Sequence, residues 1–432
     1  MIRASFIALA NTALLLSSLA LSGCDQLFEQ PKEQITVKAQ SKVNFEALLA
    51  SSNLYAYSQM SEALNQAQIL DSVITALLHH PNPASLEEAQ KAWRNTYSAY
   101  LQVSFFSHFP RFEKPQYREN GDTYQAIEEQ LDSWPIEAGY IDYLPMYPLS
   151  GIVNDMTLRI NDESLLEQHG FSDMRFASVG FHPLEFLLFG ENSTRSAKDF
   201  IPQENSMEVV DLDTKDKDPK ATEEELREEA EQEEHNHDHE GSLEPQNHNR
   251  RREYVRVLSG LIVSNLQKLA DRWEPAHGYY AKQWRQPQQE ENSLYIYQGL
   301  VDTVHQELIN KHMQTFLQQK ELDDLRSPFS NTDSKNIHAV LMGINQLFMA
   351  ENSFNSQIKQ RNAEVADNIS AQFKRLLRDS KKLPNNLAKL SLKKRQKTLA
   401  RVHKRLINLL EQLYAGAAIL ELELKALPVS TS

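Results

Sequence analysis

Ile337-His338-Ala339-Val340-Leu341-Met342-Gly343-Ile344-Asn345-Gln346-Leu347-Phe348 sets Ile337, Val340, Leu341, Ile344, Leu347 and Phe348 three or four residues apart. That is the repeat of a 3.6-residue helix with one apolar stripe, and such a stripe has to be buried against a partner. The same period returns in Leu399, Val402, Leu406, Leu409 and Leu413, and it runs through residues 43–79, 85–106, 252–272 and 294–318. No alternating run of useful strand length breaks the pattern. Glycine is scarce, 13 of 432 residues, which also favours helix over strand and tight turn. The expected fold is all-α, with helices joined by short loops into up-and-down bundles.

Charge divides the chain. Residues 202–249 hold 17 Asp plus Glu against 4 Lys plus Arg, so this one segment carries −13 of the formal net charge of −14. With few aliphatic or aromatic side chains it cannot offset the entropy of ordering its backbone, and it reads as a disordered acidic insert. Two helical-bundle halves are expected around it, at 43–201 and 250–428. Inside the insert, His235, His237 and His239 alternate with Asn236, Asp238 and Glu240. Imidazoles and carboxylates in a flexible tract are an accessory metal-binding candidate or simply a solvated loop. The opposite sign gathers at 374–405, which has 13 Lys plus Arg and a single acid, Asp379. A solvated helix face, contact with anionic lipid and pairing with the insert all fit that run. There is no nucleic-acid reader motif, and nucleic acid is not expected as a partner.

The chain begins with one cation, Arg3, then an apolar run from Ala4 to Leu21, then Leu21-Ser22-Gly23-Cys24. This is the layout of an export signal, residues 1–23. Its last four residues resemble the lipobox of bacterial lipoproteins, which implies lipidation of Cys24, removal of everything before it, and a tether over residues 24–42. Cys24 is the sole cysteine, so no internal disulfide can form. The expected location is the cell envelope, facing the periplasm and held to a membrane by lipid. Asp25 favours the inner membrane, with the outer membrane as the alternative.

Gly180-Phe181-His182-Pro183-Leu184-Glu185 carries the chemistry. His182 and Glu185 stand one helical turn apart, so an imidazole nitrogen and a carboxylate oxygen can reach one divalent cation. The same spacing also suits plain helix capping, with His182 as cap, Pro183 in the first helical position and Glu185 in the third. Gly180 would permit close approach of the chain at the helix entrance. Asp142, set among Tyr140, Ile141, Tyr143 and Leu144, is a candidate third ligand, because an unpaired acid there would be costly to bury, and equally reads as an acid hydrogen-bonded near a helix end. Trp93 and Trp134 are candidates for the pocket wall or for the core. Glu137 reads as an exposed loop residue. The other histidines, His108, His169, His277, His305, His312, His338 and His403, have no ligand spacing.

Several segments in order resemble the imelysin family of bacterial envelope proteins. Its Gly-x-His-x-x-Glu motif is matched by Gly180, His182 and Glu185. Ala92-Trp93, Ser133-Trp134-Pro135-Ile136 with Ile141-Asp142-Tyr143, and Ser327-Pro328-Phe329-Ser330 with Asn336-Ile337 and Gly343-Ile344 are similar to further family segments. The resemblance implies two helical bundles and a pocket that includes the His-x-x-Glu pair. Members have been described as metallopeptidases and as iron-regulated or iron-transport proteins. The chain departs from the family at Ser104, where the resemblance implies an acidic residue, and in the size of its insert.

A zinc peptidase needs three protein ligands, an open position for water and a general base. No His-Glu-x-x-His occurs in the chain, and a protein that captures and releases an ion demands less. The expected function is therefore divalent-metal binding, in iron uptake or handling. Iron is implied by the resemblance alone, since a nitrogen and oxygen donor set also suits zinc, copper and manganese. A metallopeptidase using the same pair, and a non-catalytic module for a peptide or an envelope protein partner, are the alternatives.

Overall fold

Asn44 opens the first long helix: its side chain accepts from the Ala47 amide at 3.0 Å and caps α1 (Phe45–His79). Three residues later Asn82 and Ser85 form a reciprocal capping box, Pro83 takes the first helical position, and α2 (Pro83–Leu101) runs back along α1. The computed structural model describes residues 42–108, 114–203, 247–318, 325–385 and 387–425. Cys24, expected to be lipidated, the candidate accessory metal residues His235, His237 and His239, and most of the acidic insert lie outside the described residues.

The elements that build the site follow in chain order: α3 (Tyr124–Asp132), a loop-rich stretch, and α4 (Phe181–Phe189). Beyond the insert come α5 (His248–Trp273) and α6 (Gln289–Asp302), which passes into a π-helical stretch over Thr303–Gln314. Then come α7 (Asp333–Met349), a short helix Phe354–Arg361, α8 (Ala363–Ser380) and α9 (Leu392–Ile419). Among the described residues there is no strand, only an isolated bridge between Leu144 and Tyr147. The chain is all-α.

The insert does not separate two cores. In α1, Leu49, Ala56, Met60, Ala63, Ala67, Leu70, Ile74 and Leu77 repeat at intervals of three, four and seven and are all buried. Their main partner is α5, from the other side of the insert, whose Leu258, Ile262, Leu266 and Leu269 supply the matching stripe. The described residues form one compact unit with one continuous apolar core, to which both expected halves, 43–201 and 250–428, contribute. Apolar faces pair by shape and area, and sequence proximity does not limit them. The ends of the insert meet: the Gln203 amide donates to Asn249 Oδ1 at 3.1 Å, and Asn249 Nδ2 donates to the Gln203 carbonyl at 2.7 Å.

α7 crosses α2 closely at Gly343. A Cβ there would stand 2.1 Å from the Gln102 carbonyl oxygen. The Tyr55 hydroxyl donates to both backbones at this crossing, 2.9 Å to the Gly343 carbonyl and 3.2 Å to that of Gln102. Gly343→Ala is expected to destabilise the protein by about 1–3 kcal/mol, because backbone has to move to admit the methyl group. Urea denaturation checks it, and an unchanged midpoint would show that the helices are free to separate.

Candidate functional site

α4 starts at Phe181, with Gly180 as its N-terminal boundary residue at φ +106°. This corrects the capping alternative: His182 lies inside the first turn, and Pro183 occupies the third position, where a missing N–H is still harmless. A Cβ on Gly180 would stand 2.5 Å from the Gln130 carbonyl oxygen and 2.6 Å from that of Leu131. The start of α4 thus lies directly against the last turn of α3, and this contact brings His182 to Asp132.

His182 Nε2 lies 2.9 Å from Asp132 Oδ1. The Tyr97 hydroxyl donates to the same oxygen at 2.8 Å and accepts from Arg326 Nε at 2.7 Å. Arg326 also pairs with Asp132 Oδ2 and, through Nη1, with Glu307 Oε2 at 2.9 Å. Glu307 comes from the π-helical stretch and binds Lys311 as well, at 2.7 Å. On its other side His182 presents Nδ1 to Glu185 Oε2 at 3.4 Å. Glu185 Oε1 accepts from both the backbone N–H and the hydroxyl of Ser330, at 2.8 and 2.6 Å, and Ser330 is in turn bonded to Thr332 at 2.9 Å. His182 and Glu185 are both buried, at 2% and 0% exposure.

The electrostatics decide which protons are present. Burial alone would raise the Asp132 carboxyl, but Arg326 and the hydrogen bond from His182 outweigh it and hold the group down at about 2. Glu307 is held at about 2 by Arg326 and Lys311 against the same burial. Asp333, buried and close to Glu185, is pushed up to about 6. For His182 burial would lower the value, yet the hydrogen bonds to Asp132 and Glu185 prevail and raise it. Asp132 is therefore a carboxylate and can only accept, so His182 Nε2 must carry a hydrogen. When the ring is neutral, Nδ1 then turns a lone pair toward a carboxylate oxygen 3.4 Å away. Two acceptors in that relation need a cation between them, a proton on Nδ1 or a metal.

A cavity of about 500 Å³ opens onto this cluster, with Trp134, His182, Leu325, Arg326 and Phe329 in its wall and the exposed Glu137–Arg175 pair beside Trp134. Trp134 lies 5.5 Å from the Arg326 guanidinium and stacks on His312 at 6.5 Å. His312 is buried and kept neutral, at about 4, first by burial and then by Arg326; its Nε2 has no partner. Trp93 lies elsewhere, fully buried, with its indole N–H on the Phe181 carbonyl at 2.9 Å. It anchors α4 to α2 and does not line the cavity. Ser104 bonds the Leu101 carbonyl at 3.1 Å.

Asp142 is not brought to His182 and Glu185. Its Oδ1 accepts from Arg251 Nη2 at 3.0 Å and from the Tyr143 amide at 2.8 Å; its Oδ2 meets Arg251 Nε at 2.6 Å and Arg195 Nη2 at 2.9 Å. The acid is compensated, as its burial requires, but by two guanidiniums in place of a metal. Through Arg251 it also ties the loop after α3 to α5 across the insert. Among the described residues no group of three or more His, Cys, Asp or Glu is arranged to hold a metal ion. The acid that does reach His182 is Asp132, the residue just before Ser133-Trp134-Pro135. Tyr97, Glu307, Arg326, Ser330 and Thr332 complete the cluster, and of these only Ser330 stood in a segment matched to the family; Tyr97 and Glu307 lay in segments read only as helix.

The solved structures most useful for comparison share the fold at low identity. An imelysin-like protein from Psychrobacter arcticus matches with a TM-score of 0.60 at 13% identity, over 89% of this chain and 100% of that one. A protein described as an iron-regulated protein A precursor, from Parabacteroides distasonis, matches with a TM-score of 0.57 at 12% identity, over 88% of this chain and 97% of that one. No curated protein matches the chain. The family model for imelysin matches residues 55–413, nearly the whole of the helical unit with the Gly180, His182 and Glu185 motif inside it, and the chain belongs to the imelysin family.

Proposed function

We propose that the chain is a lipid-anchored envelope protein that captures and releases a divalent metal ion, iron by preference, between His182 Nδ1 and Glu185 Oε2. The facing pair of acceptors carries this reading. Two donors each about 2.1 Å from a shared ion at a tetrahedral angle stand about 3.4 Å apart, the separation observed. The hydrogen bond from His182 Nε2 to Asp132 is the support that metal-ligating histidines usually have, since it sets the tautomer and turns the lone pair to the ion. Glu185 is held in place by Ser330 and, among the described residues, forms no ion pair other than that with His182. Two protein donors leave the remaining positions to water or to a ligand from the cavity, which suits transient capture. The iron preference is supported by the family and by the Parabacteroides protein's description. Envelope location and lipidation at Cys24 are supported by the apolar run and Leu21-Ser22-Gly23-Cys24.

The test is titration of the chain from Asp25 onward with Fe(II) and Zn(II), with elemental analysis. One equivalent bound, lost in His182→Ala and in Glu185→Gln but kept when residues 204–246 are deleted, is the expected result. Loss on that deletion alone would move metal binding to His235, His237 and His239. Because the raised His182 proton competes with the ion, affinity should rise about tenfold per pH unit below that raised pKa and level off above it. Chelator-sensitive cleavage of an unfolded substrate by the same preparation would instead favour the metallopeptidase.

A further inference from the structure

A second cavity, of about 470 Å³, counts Ser330 and Thr332 in its wall and is otherwise separate from the one at His182. Its charged lining has a single sign: Lys91 and Arg94 from α2 and Lys335 from the first turn of α7, with no aspartate or glutamate. Asn95, Ser98 and Asn385 add neutral polar groups. Arg94 is half-buried, its guanidinium 4.6 Å from the Phe189 ring centroid, and none of its N–H donors has a hydrogen-bond or ion-pair partner among the described residues. Its donors face the cavity and not a protein acceptor, so an anion there would meet a charged donor set that is already partly desolvated. Burial lowers its affinity for the proton, and Glu185 nearby offsets only part of this.

The surroundings add to the field. α8 ends where the Ser380 hydroxyl meets His338 Nδ1 at 2.8 Å, one turn along α7 from Lys335. The strongly basic run then passes Asn385 in the cavity wall, with Lys381, Lys382 and Lys389 exposed and without ion pairs among the described residues. Positive charge on the approach to a cationic cleft raises the local concentration of anions.

We infer that this cavity binds a small hydroxylated polyanion, a polycarboxylate or a sugar phosphate, held by Lys91, Arg94 and Lys335 and oriented by the amides and hydroxyls around them. The site needs no metal at His182, so its test is run without one. The chain from Asp25 onward, which keeps the whole compact unit, is stripped of metal and titrated calorimetrically with citrate and separately with glucose 6-phosphate. Saturable one-to-one binding of either is expected, weakened about tenfold or more by Arg94→Gln and falling as salt is added. Lys91 and Lys335 are exposed, so the double variant Lys91→Gln/Lys335→Gln keeps the fold and carries the test if Arg94→Gln does not fold. Absence of saturable binding of both probes, or affinity unchanged in the variants, overturns the inference.

Discussion

Arg326→Met is expected to destabilise the protein by about 3–5 kcal/mol at neutral pH, the usual effect of leaving buried charge without its partner. Arg326 is 7% exposed and joins Asp132, Glu307 and the Tyr97 hydroxyl, residues from three different helical stretches. Without it, the burial that Arg326 now overcomes would raise the Asp132 carboxyl. In the wild type Asp132 is depressed, so its stabilisation is complete above its ordinary value of 3.8 and is lost as pH falls toward about 2. In the variant the sign reverses: a raised carboxyl loses stability as pH rises, so the deficit should grow from pH 5 to pH 8. Urea denaturation at both pH values checks this, and Asp132→Asn added to Arg326→Met should recover part of the loss. A variant within about 1 kcal/mol of wild type at both would mean that water reaches these groups.

Gly180→Ala should be comparably severe and act on the site as well. The added methyl group meets two carbonyl oxygens of α3 at 2.5 and 2.6 Å, and the backbone at φ +106° is one that L side chains rarely adopt. Strain of about 1–3 kcal/mol adds to overpacking of similar size. Since this same contact sets His182 2.9 Å from Asp132, relief of the clash would lengthen that hydrogen bond. The slowly exchanging imidazole proton on His182 Nε2, followed by NMR, should be lost in the variant even where it remains folded. Retention of that proton together with wild-type stability would show that α3 and α4 are not in register-determining contact.

The helices were legible because amphipathic spacing is a local property. Ile337 to Phe348 and Leu399 to Leu413 lie inside α7 and α9. The His182 and Glu185 pair was legible for the same reason, as a separation of one turn survives in any helix. The third acid was not. Asp132 ends one short helix and Asp142 follows another, and both carboxylates are largely shielded from water; only the packing of Gly180 on α3 and of α5 on the loop gives one to an imidazole and the other to two guanidiniums. Nothing local distinguishes Arg326 from Arg94, yet one is saturated by two acids and a phenol while the other has no acceptor among the described residues.

What the order of residues settled alone is what short-range forces settle: all-α structure, the existence of the long amphipathic helices, and an imidazole and a carboxylate on the same face. What tertiary structure decided is every relationship whose energy depends on partners far away in the chain. The pairing of α1 with α5 across the insert, the acid that fixes the His182 tautomer, and the gathering of Lys91, Arg94 and Lys335 around one cavity were decided there. Burial makes charge expensive, and which charges meet is set by how the helices pack.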